Sequence, residues 1–450
     1  MALRKLSAEE FAVWLLFSTI ISLQSLAELG FGVTFARVLA YAMGGAERLD
    51  GHETRRTNCG EKREPNWRLI EQILGTMRLI YARLGLILAV LLVACGTLAL
   101  WRPIGRTDDP TGAWVGWAVV CAVTLYTFHA NQYANYLLGT NHIALIRRWE
   151  TLFALGSVGA MFLVLAGSGR LLTVVLAHQG LMALGAFRNG RLARWTFEGR
   201  FRNYPPKKLD QTVYGVVWSS AWRSGIGTAM SWGLIQVSAL FHAQSRDLAS
   251  VNSYLLGLRL VQATSQFSQA PFYSKLPMMA RLYAEGKREQ MIALAKRGMN
   301  LAYWSFVLPA ALLGLLGPWA LREIGGAAFF PSSTLWILLT SAILVERYGA
   351  MHLQLFSTTN RIIWHVVNGV TGLVICAFWI VLYPRMGATG LALGLLLGNA
   401  AFFSWYCARR SHCEFGLDFP RFDLGWAGVP LLTFLVGVIV TIEAYRRLGY

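Results

Sequence analysis

The sequence predicts an all-α, polytopic membrane protein with about twelve transmembrane helices. Three observations carry that expectation. Only 14% of the 450 residues are charged and 55% are hydrophobic, whereas a soluble globular chain carries about 25% charged residues. The apolar residues arrive in blocks of about 20, long enough to cross a hydrocarbon core of about 30 Å as helices. The net charge of +18 gathers in short loops between the blocks, as in loops that face anionic headgroups. Anionic membrane lipids are therefore expected partners, and the charge does not require nucleic acid.

The spans are read at residues 11–44, 76–101, 113–139, 146–166, 170–187, 213–241, 248–274, 299–321, 332–356, 362–383, 387–408 and 425–445. The first is too long for one straight crossing and is expected either to extend into the headgroups or to bend near Gly30 and Gly32. Loops after the odd-numbered spans hold about 25 Lys and Arg, against about 10 in the alternate loops and termini. The basic side is then cytoplasmic and both termini are external. That leaves Arg4 and Lys5 on the disfavoured side of the first span.

Two loops stand apart. Glu47–Trp67 mixes both signs without apolar periodicity and reads as a solvated cytoplasmic loop. Arg188–Lys208 is strongly basic and ends in Pro205-Pro206, which no helix runs through. It divides the chain into an N-terminal lobe at 1–187, a basic linker at 188–212, a C-terminal lobe at 213–408 and a further C-terminal helix within 409–450. Tyr273–Met299 is amphipathic, with Leu276, Met279, Leu282 and Tyr283 at helical spacing, and reads as a helix on the cytoplasmic surface.

The six cysteines, Cys59, Cys95, Cys121, Cys376, Cys407 and Cys413, are scattered and read as small, buried, reduced thiols. Cys407 and Cys413 flank His412, but two thiols and one imidazole fall short of a four-ligand zinc site. No metal and no cofactor are expected. Nor is an enzyme: the chain has no HExxH, no GxSxG, and only one external acidic pair, Asp108-Asp109, in a turn-like RTDDPTG.

Polar groups inside spans are costly and face a cavity or a partner. Arg78 and Arg83 lie near a span end and can snorkel. Arg347 follows Glu346, and adjacent helical residues diverge by about 100°, so the two need not pair. Arg37, Arg223 and Arg259 lie deeper. Arg259 begins a stripe continued by Gln262, Gln266 and Gln269 on one helical face. Span 3 adds His129, Asn131, Gln132 and Asn135. The carboxylates available to neutralise these cations are Glu28, Glu346 and, near a span end, Glu150. Either the polar groups satisfy one another between helices, or a surplus of positive charge awaits an anion. Guanidinium suits phosphate oxygens and stays charged when desolvated.

The segment Arg4–Gly45 resembles the second helix of the bacterial polysaccharide exporters, the flippases of O-antigen and other lipid-linked oligosaccharides. An Arg-x-Leu-x-x-Glu-like lead, here Arg4, Leu6 and Glu9 or Glu10, precedes a Leu-Gly-Phe-Gly turn at Leu29–Gly32. Gln269–Met291 looks like the segment after the first helix pair of that family's second lobe, with Pro271 and Lys275 matching. The resemblance runs diffusely over most of the chain. It implies two lobes around a central cationic cavity, with Arg37 matching an arginine of such flippases and Arg259 in a comparable place in the second lobe. The family places a helix before this lead, so the expectation is a fold short of that first helix, through a late start or a five-helix first lobe. Residues 425–445 would then be an extra thirteenth helix.

The expected function is alternating-access flipping of a polyprenyl-diphosphate-linked oligosaccharide across the bacterial inner membrane, for cell-surface polysaccharide such as the O-antigen of lipopolysaccharide. Arg37, Arg223 and Arg259 would hold the diphosphate, and Gln262, Gln266 and Gln269 would line the sugar path. Glu28 and Gln132 complete the expected binding set, with a proton or sodium as the coupling ion. The alternatives are a cationic-drug antiporter of the same superfamily, which needs intramembrane carboxylates, and a membrane-embedded glycan polymerase or acyltransferase.

Overall fold

The computed structural model describes residues 6–28, 30–45, 64–140, 142–167, 170–196, 209–284, 286–324, 330–359 and 363–448. Among these every regular element is helical. The chain forms two compact units, Met1–Gln236 and Val237–Tyr450. Arg4, Lys5, Leu29, residues 46–63 of the mixed-charge loop and residues 197–208 with the Pro205-Pro206 pair lie outside the described residues.

The first unit opens with α1 (Ala8–Ala27). Its start is a capping box: Glu10 N–H donates to Ser7 Oγ and Ser7 N–H donates to Glu10 Oε2, each at 3.2 Å. Glu10 rather than Glu9 is thus the acidic partner at this helix start. The expected bend in the first span is a break. Gly30 takes a left-handed φ of 73° before α2 (Phe31–Met43) begins. Glycine is required there twice over, since a Cβ would also lie 2.5 Å from Ser224 Cβ.

Replacing Gly30 by alanine should therefore lower the melting midpoint of the purified protein. The left-handed backbone costs about 1–2 kcal/mol, and the clash adds to it. Gly30→Ala with Ser224→Gly should recover the clash portion alone. Equal melting of the single and double variants would contradict the close approach.

The unit continues with α3 (Trp67–Ile104), α4 (Pro110–Gly139), α5 (Ile143–Gly167) and α6 (Leu171–Trp195). The last runs past the expected end at 187. Asn66 caps α3 through Leu69 N–H, and Asp109 caps α4 through Gly112 N–H at 2.8 Å, with Pro110 opening the helix. The RTDDPTG turn is thus a helix start. Asp210 caps α7 (Gln211–Thr228) by accepting from Thr212 and Val213 N–H. A π-type turn at Ala229–Gly233 leads into α8 (Leu234–His242), of which Val237–His242 belongs to the second unit. Within the unit α4 packs along α6 and α2, and α2 also packs on α7.

The second unit holds α9 (Leu248–Tyr273), α10 (Leu276–Ala284), α11 (Arg288–Ile324), α12 (Ser333–Ser357), α13 (Trp364–Met386), α14 (Ala388–Phe415) and α15 (Arg421–Leu448). Helices α9 and α15 pack on α11, while α12 and α13 pack on α14. The amphipathic segment resolves differently from its reading. It is a nine-residue helix, α10, whose Met279 and Leu282 are buried. The cations after it open the 37-residue α11. Tyr283, assigned to the apolar face, is exposed and meets Phe415 edge-on at 5.9 Å.

Among the described residues, each of the twelve expected spans is mostly helical, the first interrupted at Gly30. Eight helices among the described residues are long and apolar enough to cross a membrane. The other four segments are α1–α2, α7–α8, α9 and α12. The first is broken at Gly30, the second carries a π-type turn, and α9 and α12 are more polar. These four carry Glu28, Arg37, Arg223, Arg259 and Arg347. Apolar side chains such as Leu86, Val93, Leu163, Ile380, Leu432 and Ile439 are exposed, which in a multi-pass membrane protein is the lipid-facing surface.

Candidate functional site

Glu28 directly follows α1, before the Gly30 break, and the first unit builds a polar cluster around it. Its Oε1 accepts from Tyr81 Oη at 3.0 Å and from Asn131 Nδ2 at 2.7 Å. Asn135 Nδ2 donates to Tyr81 Oη at 2.6 Å. Gly32 makes room for this: a Cβ there would lie 2.6 Å from Glu28 Oε2 and 3.1 Å from Asn135 Nδ2. Asn131 and Asn135 lie one turn apart on α4, so one helix face supplies both amides. Tyr81 comes from α3, between Arg78 and Arg83. Nothing in its own apolar surroundings marks it as Glu28's partner. Gln132 is buried, its amide nitrogen 3.0 Å from His129 Nε2.

Among the described residues, none of the carboxylates near the intramembrane cations pairs with Arg37 or Arg223. Glu28 is held by neutral donors. Glu150 pairs with Arg147 at 2.7 Å. Glu346 approaches Arg347 to 3.8 Å, although the two are adjacent on α12. Arg347 is only 1% exposed and donates to the backbone oxygen of Ser265 at 3.2 Å and to Ser265 Oγ.

Arg37 and Arg223 are placed otherwise. Helix α2 buries Phe31, Phe35, Val38 and Ala42, which leaves Arg37 exposed on the opposite face with Ala40 and Tyr41. Helix α7 buries Val213, Val217 and Ala221, and Arg223 is exposed with its guanidinium 5.6 Å from the Trp222 ring. No described acidic residue forms an ion pair with either arginine.

In the second unit, α9 buries Val251, Tyr254, Leu255, Leu258, Val261, Ser265, Ser268 and Phe272 along one stripe. Arg259, Gln262, Gln266 and Gln269 stand off that stripe: Gln266 is exposed and the other three are partly buried. The amide nitrogen of Gln262 is buried without a hydrogen bond to any described residue. An open cleft of about 750 Å³ in this unit, lined by His242, Asp247, Ser250, Tyr383 and Arg385 among others, contains none of these residues.

No family model matches the sequence, and no curated protein does. Solved structures do. The chain is similar to a multidrug-resistance MATE-family transporter of the MOP superfamily in an inward-facing conformation, with a TM-score of 0.65 at 13% identity over 92% of each chain. It is similar to the lipid II flippase MurJ in an inward-closed conformation, with a TM-score of 0.59 at 10% identity over 98% of this chain and 99% of that one. The fold is that of MATE transporters and of MurJ. A third match is a MOP-superfamily transporter from Pyrococcus furiosus whose binding pocket is described as of reverse polarity, suggesting a different function. It has a TM-score of 0.51 at 15% identity, over 92% of this chain and 88% of that one.

Proposed function

We propose that the chain is a transporter that flips a polyprenyl-diphosphate-linked oligosaccharide across the bacterial inner membrane by alternating access of its two units. The observation that carries the substrate class is the charge imbalance. Arg37 and Arg223 lack a described acidic partner, while Glu28, Glu150 and Glu346 each have partners of their own. Exposed guanidinium groups within membrane helices suit a phosphate-bearing headgroup better than a cation. Arg259 would share the diphosphate. Gln262, with its unpaired amide nitrogen, together with Gln266 and Gln269, would meet sugar hydroxyls. The lipid tail stays in the bilayer, so only the headgroup needs a polar route. The fold shared with a lipid II flippase supports the reaction class.

A second reading, cation/drug antiport, is favoured by one feature: Glu28 is an intramembrane carboxylate whose described hydrogen-bond donors, Tyr81 and Asn131, are both neutral, an environment open to a proton or a cation. In the flippase this residue would serve the coupling ion. Glu28→Gln separates the readings, because a glutamine oxygen can still accept from Tyr81 and Asn131. In cells stripped of their own drug exporters, the wild-type chain should confer no resistance to cationic dyes. Dye resistance that appears with the wild type and vanishes with Glu28→Gln would overturn the flippase reading.

A further inference from the structure

We infer that His352, His412 and Asp423 form a binding site for a divalent transition-metal ion, with zinc the best fit. The three residues come from three helices of the second unit. His352 lies late in α12, His412 near the end of α14, and Asp423 in the first turn of α15. An aspartate in a first helical turn is ordinary when it faces water. This one faces inward and is 4% exposed. His352 is fully buried, with its ring 4.7 Å from Tyr348 and 5.0 Å from His412.

Both imidazoles aim the same nitrogen at the one carboxylate. His352 Nε2 lies 2.9 Å from Asp423 Oδ1, and His412 Nε2 lies 2.8 Å from Asp423 Oδ2. The second contact is not aligned as a hydrogen bond, so two buried polar atoms face each other without a satisfactory partner. A cation between them resolves what a shared proton does not. One ligand atom from each of the three residues lies within 4.8 Å of the others. Zinc bonds of about 2.0–2.2 Å to imidazole nitrogen and carboxylate oxygen would place tetrahedral ligand atoms about 3.3–3.5 Å apart. Outward shifts of about half an ångström from the present contacts reach that spacing.

Two imidazoles and one carboxylate suit zinc and its neighbours, and not the hard, all-oxygen cations. Three protein ligands leave a fourth position for water. The bound ion would pin the ends of α14 and α15 to α12. Of the cysteines expected to be buried, Cys407 is, while Cys413 and Cys95 are exposed. His412 thus acts with His352 and Asp423, in place of the thiols that flank it in sequence.

The test uses the full chain in detergent, stripped with a chelator and purified without a polyhistidine tag. Titration with cobalt(II) should give visible d–d absorption that saturates at about one equivalent and is bleached by zinc. His412→Gln and Asp423→Asn should each weaken binding by more than about 100-fold, while Cys413→Ser leaves it unchanged. Using His412 rather than the fully buried His352 guards against a variant that fails to fold. No saturable uptake by the wild type would overturn the site, as would uptake that survives both ligand substitutions or that depends on Cys413.

Discussion

Replacing Arg37 or Arg223 by alanine should cut export-dependent surface glycan at least tenfold at unchanged protein level, and the double substitution should reduce it further. Both side chains are exposed on their helices, so their loss should change stability by no more than about 0.5 kcal/mol. A hydrogen bond from a charged donor to a phosphate oxygen contributes about 1.5–3 kcal/mol, and 1.4 kcal/mol is a tenfold change in affinity. Arg37→Lys should retain part of the activity, since the charge remains while the bidentate fork is lost. Quantifying surface glycan by gel, beside an immunoblot of the protein, reads both effects. Normal glycan in the double variant would remove these arginines from the substrate path.

Arg347 should behave oppositely: it is a folding residue. Its guanidinium is buried and bound to Ser265, with Glu346 beside it. Arg347→Ala leaves a cavity and a partly buried carboxylate without its cation, a loss of about 3–5 kcal/mol. The melting midpoint should fall by about 10 °C for a unit of this size. Removing both charges with Glu346→Leu and Arg347→Met should recover most of that, because well-packed apolar groups replace buried ion pairs at little cost. An alanine variant that melts within about 2 °C of wild type would refute the structural role.

These two behaviours mark what was legible in the sequence. Helix periodicity shows which residues share a face, so the Arg259–Gln262–Gln266–Gln269 stripe is read directly, whereas the length of the first span leaves a bend near Gly30 as one of two alternatives. Periodicity does not say which charge finds a partner on another helix. Arg37 and Arg347 look alike in sequence, as arginines within apolar runs, yet one is exposed and the other is buried against Ser265. The partners of Glu28 have the same origin. Asn131 and Asn135 show as polar residues on span 3, but Tyr81 reaches them from α3 across 54 positions of chain. The cluster of His352, His412 and Asp423 is less visible still. Asp423 stands 71 positions beyond His352, and the nearer thiols around His412 draw attention away from it. Short-range capping was only half legible. Asp108-Asp109 reads as a turn, and the reason for it, the cap of α4, shows only once the helix starts.

The central claim is that Arg37 and Arg223, with Arg259, hold the diphosphate of a lipid-linked glycan while it crosses. The most direct measurement is leaflet-to-leaflet transfer in vesicles that contain the purified full-length protein and a polyprenyl-diphosphate-linked oligosaccharide, with headgroup accessibility read by a membrane-impermeant sugar-modifying enzyme. The account predicts transfer by the wild type, a drop of at least tenfold with Arg37→Ala plus Arg223→Ala, and no transfer of a neutral lipid-linked sugar lacking the diphosphate. Equal transfer by wild type and double variant, or equal transfer of the neutral lipid, would contradict it.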